Sequence, residues 1–308
     1  MKTLAAIAVT FLTANAAMAA PIPVLEYHEI ISAQSSVKPS DTIVTVDQFN
    51  AQMAWLKKNG YTPITAATLA KYMKNPTTTK VGTKPIVISL DDGWENQFNA
   101  IPALKKNNFT ATFNIIASYP DAVPSYMGWK QIKRLSKFGY EIGSHSYSHP
   151  VHMDSKDFEK EISVSRQIIE HQINKKVSTI AWPNGDFTTD MIEAAIIEYD
   201  GALTIDDNWC TQANKSLIGT TECVRATGNS ANQNPYLIKR VFIDGRCNIE
   251  EFGLQVSQGH TFPCRATRFI PANDKIVTPE MRAQTKRDYV DPKNDGMDHG
   301  HADSVLKN

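Results

Sequence analysis

The chain has 308 residues, 42% hydrophobic and 21% charged, with 32 basic residues balancing 32 acidic ones. That composition excludes global disorder, a collagen-like repeat and a multi-span membrane protein. The zero net charge gives no electrostatic footprint for nucleic acid and no polybasic membrane patch, so a neutral molecule is the expected partner.

The opening MKTLAAIAVTFLTANAAMAA places Lys2 before an apolar run at 4–12 and ends on the small-x-small signal Ala17-Met18-Ala19. It reads as a secretory signal peptide over residues 1–19, because the run is shorter than the ~20 residues a membrane span needs. Export to the periplasm or the medium follows, with no span left after cleavage. Beyond the leader, seven runs rich in β-branched and apolar residues read as strands: 23–27, 85–90, 110–116, 140–144, 178–182, 201–205 and 239–244. Helical patterns lie between them. One starts at the capping signal Thr45-Val46-Asp47-Gln48, carries Phe49, Met53 and Leu56 on one face, and stops at Asn59-Gly60. Another follows Ser155 with Phe158, Ile162, Ile169 and Ile173 at helical spacing and leaves His171 facing solvent. A third covers 188–198.

Strands alternating with helices predict an α/β fold, a barrel of parallel strands, with an open doubly wound sheet as the competing architecture. The barrel is assigned residues 20–264. The polar, turn-rich residues 265–308 form an extension, and its Asp298-His299-Gly300-His301 reads as part of a loose terminus rather than a metal site.

Export also governs how the cysteines are read. Cys210, Cys223, Cys247 and Cys264 are even in number for an oxidising compartment, and no Cys-x-x-Cys pair points to metal, so two disulfides are expected. Three connectivities are open. Sequential pairing, Cys210 with Cys223 and Cys247 with Cys264, closes short loops worth roughly 3 kcal/mol each.

In parallel α/β folds the carboxyl ends of the strands share one face, where catalytic residues from different strands converge. Strand 85–90 is followed at once by Asp91-Asp92-Gly93, strand 140–144 by His145-Ser146-Tyr147-Ser148-His149, strand 23–27 by His28, and strand 178–182 by Pro183-Asn184-Gly185. Alone, Asp-Asp-Gly is an ordinary turn. The His-x-x-x-His pair lacks the adjacent Glu of zinc proteases and is bounded by Pro150, so it reads as a loop. Together the segments supply two imidazoles and a carboxylate, which leave an open position on a zinc-like ion, and a second carboxylate free to act as a base.

The Ser89-Leu90-Asp91-Asp92-Gly93 and His145-Ser146-x-x-His149 segments resemble the first two motifs of the carbohydrate esterase family 4 polysaccharide deacetylases, the NodB-homology domain. Val24-Leu25-Glu26-Tyr27-His28 and Trp182-Pro183-Asn184-Gly185 resemble the branch that includes the periplasmic poly-N-acetylglucosamine deacetylases. The resemblance covers 23–253. It implies a distorted NodB-like (β/α) barrel of about seven strands and a hydrolase of linear amides that removes acetyl groups from an N-acetylated glycan. Exopolysaccharide, peptidoglycan and chitin-like polymers all fit that class. It also implies a divalent metal, usually zinc, on Asp92, His145 and His149. Asp91 would accept the proton of the attacking water, the metal and a backbone N–H after Gly93 would hold the oxyanion, and His28 would protonate the leaving nitrogen.

The sequence departs from that pattern in two places. Trp182 stands where the family often has an arginine that orients the base, and Arg240 in strand 239–244 is the candidate to replace it. The usual Leu-x-His motif near the carboxyl end is missing, so His260 competes with His28 for the acid role, while His152 reads as a loop residue. Trp182 and Trp94, with Pro183 and Gly185, are candidates for a sugar subsite, since aromatic faces stack on sugar rings; packing of the barrel rim is the alternative. Three rival readings accompany the glycan deacetylase: a hydrolase of a small amide or cyclic imide, a non-catalytic glycan-binding protein, and a structural metal site. The intact set of Asp91, Asp92, His145 and His149 argues against the binding protein, because binding alone does not need a base beside a metal, and the open coordination position argues against the structural site.

Overall fold

The computed structural model describes residues 21–32, 34–205, 229–259, 261 and 264. The leader 1–19, Cys210, Cys223, His260 and the extension 265–308 lie outside the described residues.

All strands of the main sheet run parallel, and they close on themselves. In ring order they are β1 (Val24–Tyr27), β10 (Ile238–Phe242), β9 (Gly201–Ile205), β8 (Thr179–Ala181), β7 (Glu141–Ser144), β6 (Thr112–Ile115) and β5 (Pro85–Leu90). The last of these pairs back onto β1 through Val24 opposite Val87 to Tyr27 opposite Leu90. That pairing decides for the barrel over the open sheet. The seven expected strands are these seven, each within two residues at either end.

The distortion comes from β4 (Thr62–Ile64), which shares one edge of β5 with β6. Thr62 to Ile64 pair with Pro85 to Val87 on the lower half, and Thr112 and Phe113 pair with Ser89 and Leu90 on the upper half. Two further short strands, β2 (Glu29–Ile31) and β3 (Ile43–Thr45), form a parallel pair of their own.

Helix α1 (Val46–Lys58) begins where its sequence signal places it. The Thr45 hydroxyl accepts from the Gln48 N–H, the Gln48 side chain accepts from the Thr45 N–H, and Phe49, Met53 and Leu56 are buried. The second expected helix is less regular: a 3-10 turn (Ser155–Asp157) and a π-helical turn (Glu159–Val164) precede α5 (Ser165–Ile173). The third is α6 (Thr189–Glu198). The structure adds α2 (Ala66–Lys74), α3 (Ile101–Asn107), α4 (Trp129–Lys137) and α7 (Ile249–Gln258).

Strand alternation divides the core in two. Leu25, Ile86, Ile88, Phe113, Ile142, Ile180 and Val241 point outward and pack under the helices. Val24, Val87, Ala181, Leu203 and Ile238 point inward and meet Ala66, Leu69, Ala70 and Met73 of α2, which closes the lower mouth. Glu141 anchors that plug by accepting from the N–H of Ala67 and the hydroxyls of Thr112 and Thr179. Apolar packing below leaves the upper, carboxyl end of the barrel for polar side chains. Among the described residues no helix is long and apolar enough to cross a membrane. Cys247 and Cys264 form a disulfide across α7.

Candidate metal centre and base

One step up the inward-facing registers from the apolar layer, the side chains become Glu26, Ser89, Asn114 and Arg240, all buried. Above them sit Asp91, His28 and His145. The turn after β5 has two successive left-handed residues, Asp92 (φ 75°) and Gly93 (φ 81°). Glycine suits the second, where a Cβ would lie 3.1 Å from Ile115 Cδ1. Asp92 in this conformation is strained, as residues at functional sites often are. The loop after β7 repeats the device at Ser146 (φ 62°) and His149 (φ 56°).

These turns bring Asp92, His145 and His149 together, with one donor atom from each lying within 4.8 Å of the others. Asp92 Oδ1 is 3.2 Å from His145 Nε2 and 3.7 Å from His149 Nε2, while Oδ2 accepts from Trp94 Nε1 at 2.8 Å. His145 Nδ1 lies 2.8 Å from the Ala181 carbonyl. A carbonyl can only accept, so Nδ1 carries a proton and Nε2 is the atom offered to Asp92. Burial and the neighbouring His145 depress His149 to a pKa of about 4, which keeps its imidazole neutral. Burial would lower His145 as well, but Asp91 and Asp92 outweigh it and raise the ring. Asp92, which burial would raise, is held well below the carboxylate range by His145 and by the other two histidines. Two imidazole nitrogens and an ionised carboxylate, with the buried imidazole's far nitrogen already committed to a carbonyl, fit a borderline divalent cation.

Asp91 is almost fully buried and faces differently. Its Oδ1 accepts from Asn114 Nδ2 at 2.7 Å and from the Ser89 hydroxyl at 3.3 Å, and its Oδ2 accepts from Arg240 NH1. Burial would raise its pKa, but Arg240, then His145 and His28, together with the Asn114 bond, bring it down to about 2. Asn114 fits only because position 143 is glycine, where a Cβ would stand 2.2 Å from Asn114 Oδ1. Arg240 also donates through Nε to the Thr204 carbonyl at 3.0 Å and lies 3.3 Å from Glu26 Oε2. The other Glu26 oxygen is 3.7 Å from His28 Nε2, and one donor atom each from Glu26, His28 and Asp91 fall within 4.8 Å of one another. His28 packs on Phe242 with ring centroids 5.3 Å apart.

Residues 78–197 match the profile of the polysaccharide deacetylase family. The matched segment is about two fifths of the chain and carries both the Asp91-Asp92 turn and the two histidines of the loop after β7. YxkH of Bacillus subtilis is 28% identical to it over 182 residues, 57% of this chain and 61% of YxkH. The peptidoglycan-N-acetylglucosamine deacetylase of Bacillus cereus is 24% identical over 114 residues, 36% of this chain and 40% of that protein. The match thus spans less than two thirds of either relative. The deacetylase PplD of Streptococcus pyogenes, solved in complex with acetate, shares the barrel with a TM-score of 0.62 at 22% identity, over 78% of this chain and 99% of that one.

The family match contains Asp91, Asp92, His145 and His149, whereas Glu26, His28 and Arg240 close on them from β1 and β10, outside the matched segment. Four residues of this site, Glu26 among them, were missed in the sequence. Glu161, in the π-helical turn, accepts from the Tyr147 and Ser148 N–H groups at 3.0 and 2.8 Å and from the Ser148 hydroxyl at 2.8 Å, tying down the loop between the two histidines. Gln97 donates to the backbone carbonyls of both His28 and Asp91. Asn114 braces Asp91. Asn114 and Glu26 carried a signal, each a polar residue at an inward position of a strand beside 85–90.

The sugar-subsite expectation for Trp182, Pro183 and Gly185 needs correcting. All three are buried, Trp182 completely, so its ring faces meet the core and present nothing to a sugar. Trp94 is half-buried and supports Asp92 on one side while stacking on Tyr126 on the other, with centroids 4.2 Å apart. His152 is 84% exposed, 3.7 Å from Asp186, as befits a loop residue.

Proposed function

We propose that the protein is an exported, zinc-dependent hydrolase that removes N-acetyl groups from an N-acetylglucosamine-containing polysaccharide. The observation that carries this reading is a buried carboxylate, Asp91, kept ionised by Arg240 and Asn114 beside a separate Asp92–His145–His149 donor set. A binding protein has no use for that pairing.

Asp92, His145 and His149 would hold the metal, which when bound polarises a carbonyl and lowers the pKa of water. The chain's own groups account for the rest. Asp91, ionised throughout the neutral range, accepts the proton of the attacking water. His28, beside Asp91 and backed by Glu26, delivers a proton to the departing sugar nitrogen, which cannot leave as an amide anion. Gln97 fixes the backbone carbonyls of both, so acid and base keep their spacing. A glycan is favoured over a small amide by the wall beside Asp92, where Trp94 and Tyr126 stack next to a cleft of about 360 Å3 lined in part by Tyr126, Asp121 and Gln131.

The test is acetate release from N-acetylglucosamine oligomers, run with chelator and again with zinc restored. Release that stops and returns with the metal is the expected result. No release from chitin, poly-N-acetylglucosamine or peptidoglycan fragments by protein carrying one metal per chain would overturn the reading.

A further inference from the structure

Because the barrel strands are parallel, every turn leading from a helix into a strand lies on the face opposite the catalytic mouth. Five consecutive turns of this kind, those entering β4 to β8, hold ten exposed lysine and arginine side chains, and residues 57–62, 75–85, 104–110, 133–140 and 171–178 contain no Asp or Glu. Of the ten, Lys176 alone has a carboxylate partner among the described residues, Asp200 at 2.8 Å. Helix dipoles favour cations at the carboxyl ends of helices, yet α6 and α7 finish with no basic residue in their last turn. The positive charge is therefore gathered on one arc. The balance of 32 acids against 32 bases hides this, and the absence of a polybasic patch inferred from net charge is corrected here.

An apolar element sits within the same arc. Phe138, 40% exposed, lies between Lys105 Nζ at 3.8 Å and the Arg134 guanidinium at 5.2 Å, on a cleft of about 320 Å3 that it shares with Phe109 and Tyr140. Cations surrounding a half-exposed aromatic ring match the interfacial region of a lipid bilayer, where the ring enters the headgroup layer and the cations meet anionic phosphates. A soluble polyanion would recruit the cations and leave the ring without a role. We propose that this face docks on an anionic phospholipid surface and turns the catalytic mouth away from it. The proposal stands independently of the reaction catalysed.

The test is sedimentation of the purified chain with phosphatidylcholine–phosphatidylglycerol vesicles and with phosphatidylcholine vesicles. Binding to the anionic vesicles alone, weakened by salt, is expected. Each cation removed costs about fivefold in affinity, so Lys105→Gln/Lys106→Gln/Arg134→Gln together lower it on the order of 100-fold. Lys38→Gln/Lys130→Gln/Lys156→Gln, an equal change of charge elsewhere, leaves it unchanged, with circular dichroism melts confirming that both triples fold. Equal losses in the two triples, or equal binding to both vesicle types, would overturn the proposal. Phe138→Ser separates lipid from polymer: vesicle binding falls and inorganic polyphosphate binding does not. Vesicle binding indifferent to Phe138 would assign the face to a polyanion instead.

Discussion

Arg240 donates to Asp91 across 149 residues of sequence and from the far side of β1, so the proposed base is held by the last strand of the ring rather than by its own. The guanidinium serves two carboxylates, Asp91 and Glu26, in a region almost free of solvent.

Removing that cation strands both acids. Arg240→Met is expected to destabilise the fold by about 3–5 kcal/mol, the usual cost of breaking a buried ion pair from one side. Arg240→Lys, a point charge where a fork is needed, falls between wild type and Met. With Arg240 gone, burial is opposed only by His145, His28 and the Asn114 bond and raises Asp91, so the acid limb of the rate profile moves to higher pH. Urea melts and a pH–rate curve for each variant check both statements.

The ionisation of Asp91 links to stability with a definite sign. Its pKa falls from the usual 3.8 to about 2 on folding. A carboxyl lowered on folding stabilises above its unfolded pKa and loses that contribution as pH falls through its folded one. The metal-free protein should therefore lose on the order of 2 kcal/mol from this group between about pH 4 and pH 2. Asp91→Asn should flatten that part of the stability curve, retain metal, and lower the rate by about 10²–10⁴. Denaturant midpoints across the acid range and metal analysis of the variant give the answer.

Glu161 touches neither the proposed metal ligands nor the base, yet it fixes the loop that carries His149. Glu161→Ala leaves two N–H groups without their acceptor and is expected to weaken zinc binding by about 10–100-fold, the usual effect of losing a supporting contact. Glu161→Gln keeps an acceptor oxygen and should recover part of the loss. Calorimetric zinc titration of both variants distinguishes loop positioning from a general loss of fold.

Breaking the Cys247–Cys264 disulfide opens a loop with a sequence separation of 17. Cys247→Ser/Cys264→Ser should cost about 3 kcal/mol. Comparing thermal melts of this variant with those of reduced wild type measures it.

The barrel was legible because its strands are short apolar runs ended by turn residues, and the site was legible because those turn residues are Asp, His and Gly. What the sequence hid depends on depth and on distant partners. Thr62-Pro63-Ile64 is too short to announce a strand and is recognised only by its pairing with β5. Ile162 and Ile169 fit a helical stripe, but the π-helical turn that presents Glu161 leaves the pattern almost unchanged. Trp182 ends a strand beside the rim, where inward and outward placements look the same in sequence, and it proved to be core. Arg240 is legible from the vacancy left by Trp182, whereas Glu26, two residues before His28, faces the same cavity and takes its meaning from contacts with Arg240 and His28 that only the fold creates.

Gly143 sets a limit on what motif conservation can certify. A single methyl group there would collide with Asn114, displace the brace on Asp91, and leave every aspartate and histidine of the recognisable motifs in place. A homologue could thus lose its chemistry through one silent-looking alanine, and a survey that scores motif residues alone would still count it as an enzyme.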